Sequence, residues 1–264
     1  MMNILENFDL ANLGHNSANY IRTLSEAMKA ATADKEAHVG DPAFVDVPVG
    51  RLIDKQYAGA IADRIKSGEK MHVERFNAQQ ESKDTTHVAV IDARGNCFTM
   101  THSLGMPSGV ITNGLGFMYN GCMGVFDPRP GRTGSVAPGK SRFSSLCPTI
   151  VFNKGTPRIV LGAPGGTQIA MGVLQALLNV IDFGMTMSDA VAAPRFSATS
   201  NVIDIMNRIP QYSVEPLVNE GYEVIRSPLS FGIAGVHGIE STATGLQGGA
   251  DPGMDGMALR VLTP

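Results

Sequence analysis

The sequence has 264 residues, of which 43% are hydrophobic and 17% are charged. A chain of this length and composition can bury a sizeable core as one large or two small globular domains, which excludes a disordered protein. Its 21 Lys and Arg residues and 24 Asp and Glu residues leave a formal charge of -3, and the basic residues form no stripe or cluster. Nucleic acid and anionic membranes are therefore not expected as partners.

The cysteines and the N-terminal residues give no sign of a metal site, a disulfide or a membrane anchor. Cys97, Cys122 and Cys147 fit neither a disulfide framework nor a zinc site, and we expect three small buried hydrophobic side chains. No apolar run approaches the ~20 residues that span a bilayer, and residues 1–9 lack the basic and apolar regions of a signal peptide. The compartment, cytoplasmic or periplasmic, stays open.

The front of the chain has the periodicity of helices. Ser17 is a suitable N-cap, and Ile21 and Leu24 follow at helical spacing with charged residues between them, which predicts an amphipathic helix. A second helix is predicted over residues 54–66. Residues 71–84 are polar and have no apolar period, so we expect an exposed linker there that suits proteolysis.

After Asp84 the sequence changes to the alternation and turn residues of β-hairpins. The predicted elements are strands at residues 86–92, 97–103, 149–152 and 158–161 and apolar helices at residues 167–183 and 188–193. Hairpins whose strands lead into apolar helices predict an α+β layered sandwich.

The junction between the linker and the first strand reads Lys83-Asp84-Thr85-Thr86-His87. A threonine hydroxyl is a poor nucleophile unless a base lies close, and its own α-amine can be that base once Thr85 is a chain start. Attack of the Thr85 hydroxyl on the carbonyl of Asp84, followed by hydrolysis, would produce this new N-terminus. The pattern alone is weak, because paired threonines that open a strand are commonly only β-formers.

Two further segments contain groups that acyl transfer uses. The amides of Gly165 and Gly166, between a predicted strand and a predicted helix, could hold a developing oxyanion. A tight turn that only needs glycine explains the same residues. Ser144 and Ser145 stand just before a predicted strand, where their hydroxyls could bind a substrate or satisfy the turn backbone. The residues by themselves leave these alternatives open.

Taken in order, the motifs resemble the gamma-glutamyltransferase family of N-terminal-nucleophile hydrolases, and the resemblance extends over most of the chain. The matching motifs are Leu5-Glu6-Asn7-Phe8-Asp9-Leu10, Gly14-His15-Asn16-Ser17, Gly40-Asp41-Pro42 to Val47-Pro48, Thr85-Thr86-His87 to Asp92, Gly95-Asn96, Ser144-Ser145, Pro148-Thr149-Ile150-Val151, Ala163-Pro164-Gly165-Gly166, Pro194-Arg195-Phe196 and Gly248-Gly249-Ala250-Asp251-Pro252. Several motifs in the family's order are far more specific than any one of them.

The resemblance implies a fold and a role for individual residues. The implied fold is a four-layer αββα sandwich, without metal or organic cofactor. Thr85 would be the nucleophile and, through its amine, the base, after cleavage between Asp84 and Thr85. Gly165 and Gly166 would form the oxyanion hole. Ser103, which stands where the family has a threonine, would form a hydrogen bond to the nucleophile. Ser144 and Ser145 would bind the α-carboxylate of the acyl donor.

Two positions depart from the family's pattern. The family holds the α-amino group of a γ-glutamyl donor with an asparagine and an aspartate, and here Gly105 and Val125 stand at those positions. The resemblance therefore implies acyl transfer from a small-molecule acyl amide without implying selectivity for a γ-glutamyl group. The donors that fit are γ-glutamyl compounds such as glutathione and related acyl amides, such as an acylated β-lactam nucleus or an oxamate-like acid.

Members of the family are about twice as long as this chain. Residues 1–84 would be the C-terminal helical part of the large-subunit region, ending in the linker, and residues 85–264 the small-subunit catalytic region. We expect association with an N-terminal half or with a second copy, unless the chain is a truncated product. Two hypotheses follow: an autoprocessing threonine amidohydrolase or acyltransferase that passes the acyl group to water or an amine, and a non-enzymatic remnant or subunit of the same fold.

Overall fold

The computed structural model describes residues 1–73 and 85–261, and the first of these parts is helical. Its helices are α1 (Met2–Leu5), α2 (Leu10–Leu13), α3 (Ala18–His38), α4 (Val49–Leu52) and α5 (Lys55–Lys66). The two helices predicted from the sequence are confirmed as α3 and α5. Each begins at a capping side chain, since Ser17 accepts a hydrogen bond from the amide of Tyr20 and Asp54 accepts one from the amide of Tyr57.

The polar segment after α5 begins differently from the expectation. Met71 and Val73 are buried rather than exposed. The amide of Met71 donates to the buried carboxylate of Glu26, and the amide of Val73 donates to Asn201 Oδ1 at 2.8 Å. Because these tertiary hydrogen bonds hold the backbone against the core, the expectation of an exposed linker is wrong for these residues. The rest of that segment, residues 74–84, lies outside the described residues.

The second part contains the strands and further helices. The strands are β1 (Thr85–Ile91), β2 (Cys97–Ser103), β3 (Pro107–Ile111), β4 (Met118–Asn120), β5 (Thr149–Asn153), β6 (Thr156–Gly162), β7 (Phe196–Ser197), β8 (Ile203–Ile205), β9 (Val224–Arg226), β10 (His237–Thr242) and β11 (Gly245–Ala250). The helices are α6 (Ile169–Ile181), α7 (Met187–Ala192) and α8 (Gln211–Asn219). The hairpins β1–β2 and β5–β6 and the helices α6 and α7 confirm the sequence prediction. The remaining strands and α8 are additional to the predicted elements.

An antiparallel sheet in the order β11-β10-β6-β5 is the centre of the second part. The hairpin β1–β2 packs on one face of this sheet, where Thr99 donates a hydrogen bond of 3.3 Å to the carbonyl of Leu161. Helices α6 and α7 cover the opposite face, where Ile159 and Leu161 share a buried cluster with Val173 and Met187. Helices, sheet and hairpin are thus stacked in an α+β architecture.

The hairpin β1–β2 also has a face that points away from the sheet. Val88, Val90, Phe98 and Met100 lie on it and are between 42% and 52% exposed. They alternate with the inward-facing residues of the two strands, as the period of a β-strand requires. We refer to these four residues as the outer apolar face.

A second hydrophobic core connects the helical front to the rest of the chain. Tyr20, Ile21 and Leu24 of α3 belong to one buried cluster with Leu174 of α6 and Phe196 of β7. Since α6 also covers the main sheet, this helix joins the two cores. The helices of residues 1–73 therefore share their core with elements that lie far along the sequence.

The cysteines differ from the expectation. Cys97, Cys122 and Cys147 are free and only half-buried, so the prediction of three buried side chains is wrong. They stand at the start of a strand, at the start of a short 3-10 turn and in a loop, where neighbouring elements do not enclose a side chain completely. Within residues 1–73 and 85–261, each helix is too short or too polar to cross a bilayer.

Candidate active site

Thr85 is the first residue of β1, and the antiparallel register places it opposite Ser103, the last residue of β2. The two side chains meet on the inward face of the hairpin, with 2.7 Å between Thr85 Oγ1 and Ser103 Oγ. Ser103 Oγ also accepts a hydrogen bond of 2.9 Å from the amide of Gly105, so this oxygen is held both by Thr85 and by the loop after β2. Thr85 is only 8% exposed, so its hydroxyl has a defined position. Asp84, on the other side of the expected cleavage bond, lies outside the described residues.

His87 lies two residues further on the same face of β1, between two hydroxyls of β2. Its Nδ1 is 3.0 Å from Thr101 Oγ1, and its Nε2 is 3.2 Å from Thr99 Oγ1. Because Thr99 donates its proton to the carbonyl of Leu161, it accepts from His87, and we assign the neutral Nε2–H tautomer on this basis. Burial, and after it the neighbouring His237, lower the pKa of His87 to about 4. The ring is thus a neutral hydrogen-bonding group near pH 7. The sequence motif included this histidine but gave it no role.

The end of β6 lies against the inward face of the hairpin β1–β2. Leu161 contacts Thr99, and Thr99 pairs with Ala89 of β1. The next residue, Gly162, lies against the ring of His87, where an added Cβ would be 2.3 Å from the ring atom Cε1. Thr99 Oγ1 itself lies 3.2 Å from His87 Nε2, so both contacts place the end of β6 against the His87 ring on the inward face of the hairpin. The glycine loop follows β6 in the chain.

Gly165 and Gly166 form this loop and lead into α6 through a 3-10 turn, Gly166–Gln168. Their φ angles are 140° and 55°, in the region that favours glycine. Both residues are half-buried, and neither amide donates a hydrogen bond to another described residue. Unpaired N–H groups at the start of a helix form a site for a negatively charged oxygen.

Gly105 lies beside the hydroxyl network and offers no side chain to a substrate. Its φ is 71°, and an added Cβ would lie 2.8 Å from Cys122 Sγ. Cys122 Sγ in turn lies 3.6 Å from the carbonyl oxygen of Leu104. The thiol therefore occupies the space that a larger residue at position 105 would need.

Val125 ends the 3-10 turn that begins at Cys122, and it lines a shallow pocket together with Phe126, Arg142 and Phe143. Arg142 forms no ion pair with any residue of the described ranges, and its Nη1 donates to the carbonyl of Phe143 at 2.9 Å. The pocket thus combines an apolar wall with a cation that has no paired carboxylate among these residues.

The acid nearest to Val125 in the sequence is Asp127, and it already has a partner. Its two carboxylate oxygens accept hydrogen bonds of 2.9 and 2.6 Å from the guanidinium of Arg129. These bonds hold the pKa of Asp127 below its usual range. The carboxylate is therefore charged and engaged inside its own loop.

Ser144 and Ser145 follow Arg142 in the loop that leads to β5. Ser144 is exposed, and its Oγ accepts a hydrogen bond of 3.2 Å from the amide of Leu146, while Ser145 is half-buried. Within residues 1–73 and 85–261, no hydrogen bond joins either serine to Thr85 or to the glycine loop. The structure thus joins Thr85 to its predicted hydroxyl partner Ser103, which also accepts from the Gly105 amide, and among the described residues it shows no hydrogen bond from this pair to the two serines.

The fold places the chain in a structural class. Its hairpin, antiparallel sheet and apolar helices match solved structures that have the fold of N-terminal-nucleophile hydrolases. Among solved structures, cephalosporin acylase from Bacillus halodurans has this fold, with a TM-score of 0.82 over 97% of this chain and 47% of that protein at 24% identity.

The sequence places the chain within this class. The family model for gamma-glutamyltranspeptidase matches residues 1–261, and the chain belongs to this family. It is 40% identical over 230 residues to the Acylase ACY 1 proenzyme of Pseudomonas sp. (strain SE83), which covers 86% of this chain and 41% of that protein. It is 37% identical over 212 residues to the Glutathione hydrolase proenzyme of Escherichia coli, which covers 74% of this chain and 37% of that protein. The chain therefore spans less than half the length of these relatives.

Proposed function

We propose that this chain carries the catalytic centre of an autoprocessing threonine amidohydrolase or acyltransferase, with Thr85 as its nucleophile. The observation that carries the proposal is the 2.7 Å contact between Thr85 Oγ1 and Ser103 Oγ at the first residue of a strand. A threonine at a chain start has a base of its own in its α-amine. Two relatives are named as an acylase proenzyme and a glutathione hydrolase proenzyme, which supports both the reaction class and activation by cleavage.

The proposed processing step uses the same hydroxyl. In the precursor, Thr85 Oγ1 attacks the carbonyl carbon of Asp84. A C–O bond forms, the C–N peptide bond breaks, and the hydroxyl proton passes to the leaving nitrogen, which becomes the α-amine of Thr85. Water then hydrolyses the resulting ester, so that Asp84 ends in a carboxylate and Thr85 regains its hydroxyl. The Ser103 hydroxyl orients the attacking oxygen in this step.

The proposed turnover repeats this chemistry on a donor amide. The amine of Thr85 accepts the hydroxyl proton while Oγ1 attacks the acyl carbon, and the N–H groups of Gly165 and Gly166 donate to the oxyanion that develops. In other enzymes that catalyse acyl transfer, removing one N–H or amide group of the oxyanion hole lowers kcat by ~10²–10³. The protonated amine of Thr85 then gives its proton to the leaving amine as the C–N bond breaks. Water or an acceptor amine attacks the ester and releases the acyl group.

The donor that we propose does not need an α-amino group. Gly105 has no side chain, and Val125 has no charge with which to hold an ammonium. Asp127, the nearest acid in the sequence, is bound by Arg129. An ammonium in this pocket would lose water without gaining a carboxylate, which disfavours a donor that carries one.

The same donor would carry a carboxylate. Ser144 and Ser145 are the residues that we propose to bind it, together with the Arg142 guanidinium, which has no paired carboxylate among the described residues. A guanidinium binds a carboxylate through two parallel hydrogen bonds. The proposed substrate class is therefore a small amide of a dicarboxylic acid, such as a glutaryl amide, with γ-glutamyl compounds as poorer substrates.

We also propose that the fold is completed by a partner. The outer apolar face of the hairpin supports a helical layer packed against it, which would give the four-layer αββα sandwich. In this proposal residues 1–84 are the C-terminal part of the large-subunit region, and residues 85–264 form the small-subunit region. An N-terminal half or a second copy supplies the helical layer on the outer apolar face. The length of the relatives favours the N-terminal half. A remnant without activity would have no need to keep the hydroxyl pair of Thr85 and Ser103, so we favour the enzyme.

The processing step provides the test. Thr85→Ala is compared with Thr86→Ala, which removes the neighbouring hydroxyl from the exposed, opposite face of β1. Intact mass is expected to show a fragment that begins at residue 85 in the unmodified protein and in Thr86→Ala, but not in Thr85→Ala. Cleavage of Thr85→Ala at the same bond would remove the main support for this nucleophile.

A further inference from the structure

The glycine loop is held in place by a second loop that contains Ala234. Ala234 has a φ of 43°, which an L-residue seldom adopts. A Cβ added to Gly165 would lie 2.7 Å from Ala234 Cα, and one added to Gly172 of α6 would lie 2.6 Å from Ala234 Cβ. The amide of Gly235 donates a hydrogen bond of 3.0 Å to the carbonyl of Pro164. Ala234 thus fits between the glycine loop and the first turns of α6.

A buried guanidinium fixes the position of Ala234. Arg195 follows α7 and is 0% exposed. Its Nε donates to the carbonyl of Ile233 at 3.1 Å, and its Nη2 donates to the carbonyl of Ala234 at 2.8 Å. Its Nη1 donates to the carbonyls of Val191 and Ala193, which are at the end of α7 and just after it. The guanidinium therefore ties the Ala234 loop to the end of a helix.

Asp251 supplies the matching charge. It is 2% exposed and accepts a hydrogen bond from Arg195 Nη2, so the two form a buried ion pair. It also accepts a hydrogen bond of 2.8 Å from the amide of Gly253. A buried guanidinium without a counter-charge would be strongly disfavoured. The carboxylate of Asp251 therefore allows Arg195 to stay charged between the Ala234 loop and the end of α7.

We propose that Arg195 and Asp251 are a positioning pair for the oxyanion hole, and that they act through Ala234, which sets the orientation of the Gly165 amide. None of the three residues touches the reacting atoms. This inference rests on the proposed function, because it concerns the N–H groups that would bind the oxyanion. Preorganised donors lose much of their effect when they can turn away from the developing charge.

The decisive variant is Ala234→Gly, which removes the packed methyl group and leaves the ion pair intact. Glycine adopts a positive φ without strain, so this protein is expected to fold. The matched control is Ala198→Gly, which removes a methyl group that is also 0% exposed but belongs to the other hydrophobic cluster. With the N-terminal half present, Ala234→Gly is expected to lower kcat for a glutaryl amide at least about tenfold and to leave KM within about twofold. Ala198→Gly is expected to change neither.

A second variant tests the pair itself. Arg195→Lys keeps the charge but loses the planar set of donors, and a fall in kcat like that of Ala234→Gly is expected from the folded protein. Active-site titration separates this effect from a smaller folded fraction. If Arg195→Lys does not fold, Ala234→Gly decides alone. A kcat within about twofold of the unmodified enzyme in Ala234→Gly would overturn the proposal.

Hydrogen exchange separates this proposal from the proposed function. Mass spectrometry of the peptide that covers residues 163–168 reports the glycine loop without any need for activity. Faster exchange there in Ala234→Gly, and unchanged exchange in Ala198→Gly, supports the positioning role even if no acyl transfer is found. Equal exchange in both variants would overturn it. A protein with an ordered loop and no acyl transfer from any donor would instead contradict the proposed function alone.

Discussion

The donor's α-amino group is the part of the substrate for which the structure makes the sharpest prediction. A γ-glutamyl amide and a glutaryl amide differ only in this ammonium. Gly105 and Val125 offer it no partner, and the bonds from Arg129 keep Asp127 engaged. Losing hydration without a new hydrogen bond costs a buried polar group ~1–3 kcal/mol, and Val125 itself is only half-buried. We therefore expect the glutaryl amide to be favoured by about 1 to 2 kcal/mol, which is about 5- to 30-fold.

The assay compares kcat/KM for the two donors with the same chromophoric leaving group and with the N-terminal half present. Val125→Asp introduces a carboxylate at the position that lacks one, and Val125→Asn introduces a side chain of the same shape without the charge. Val125→Asp is expected to shift the ratio toward the γ-glutamyl donor by at least about fivefold, or about 1 kcal/mol, relative to Val125→Asn.

A preference of the unmodified enzyme for the γ-glutamyl donor of about 100-fold or more, or about 2.7 kcal/mol, would refute this reasoning. It would mean that another acid binds the ammonium. Asp127 would then have to leave Arg129, and Asp127→Asn would abolish the preference.

Four further predictions follow from single contacts. Arg142→Gln is expected to raise KM for a glutaryl amide about tenfold and to leave an uncharged acyl amide unaffected, because only the carboxylate meets the guanidinium. Ser103→Ala should lower kcat about tenfold or more, whereas Ser103→Thr, which keeps the hydroxyl, should retain most of it; equal rates in all three proteins would contradict the role of this contact. In the folded protein the pKa of His87 is about 4, below the usual value of 6.5. As the pH falls, His87 is therefore protonated in the unfolded chain before it is protonated in the folded protein. Its contribution to stability is thus complete above pH 6.5 and is lost as the pH falls toward 4, and His87→Gln should flatten the fall of Tm over this range. The chain alone is expected to self-associate through the outer apolar face, and Phe98→Lys should shift it toward the monomer in size-exclusion chromatography with light scattering; a stable monomer without the substitution would disprove this.

Local patterns in the sequence were sufficient to predict helix α3 and the hairpin that begins at Thr85. Helix α3 could be predicted because its cap, Ser17, and its apolar period lie within a few residues of each other. The hairpin β1–β2 could be predicted because its alternation and turn residues are contiguous, and its register then brings Thr85 opposite Ser103. The family resemblance identified this pair as a possible site before any distance was known.

Contacts between distant segments could not be predicted from local patterns in the sequence. Arg195, Ala234 and Asp251 are separated by 17 residues or more along the sequence, so neither spacing nor composition indicates that they meet. The ring of His87 against Gly162 and the thiol of Cys122 beside Gly105 are likewise packing relations between elements. The burial of Met71 and Val73 in a segment of polar composition has the same origin, since their hydrogen bonds reach Glu26 and Asn201.

The sequence by itself determined the elements with a contiguous pattern and the family, and it supplied candidate residues for acyl transfer, because each of these depends on residue types at short spacing. The tertiary structure alone decided that Gly162 packs against the His87 ring, that the Cys122 thiol fills the space beside Gly105 and that Ala234 and Arg195 hold the glycine loop. The physical reason is that such relations depend on how the hairpin, the sheet and the helices pack, and packing is determined jointly by side chains that are far apart in the chain.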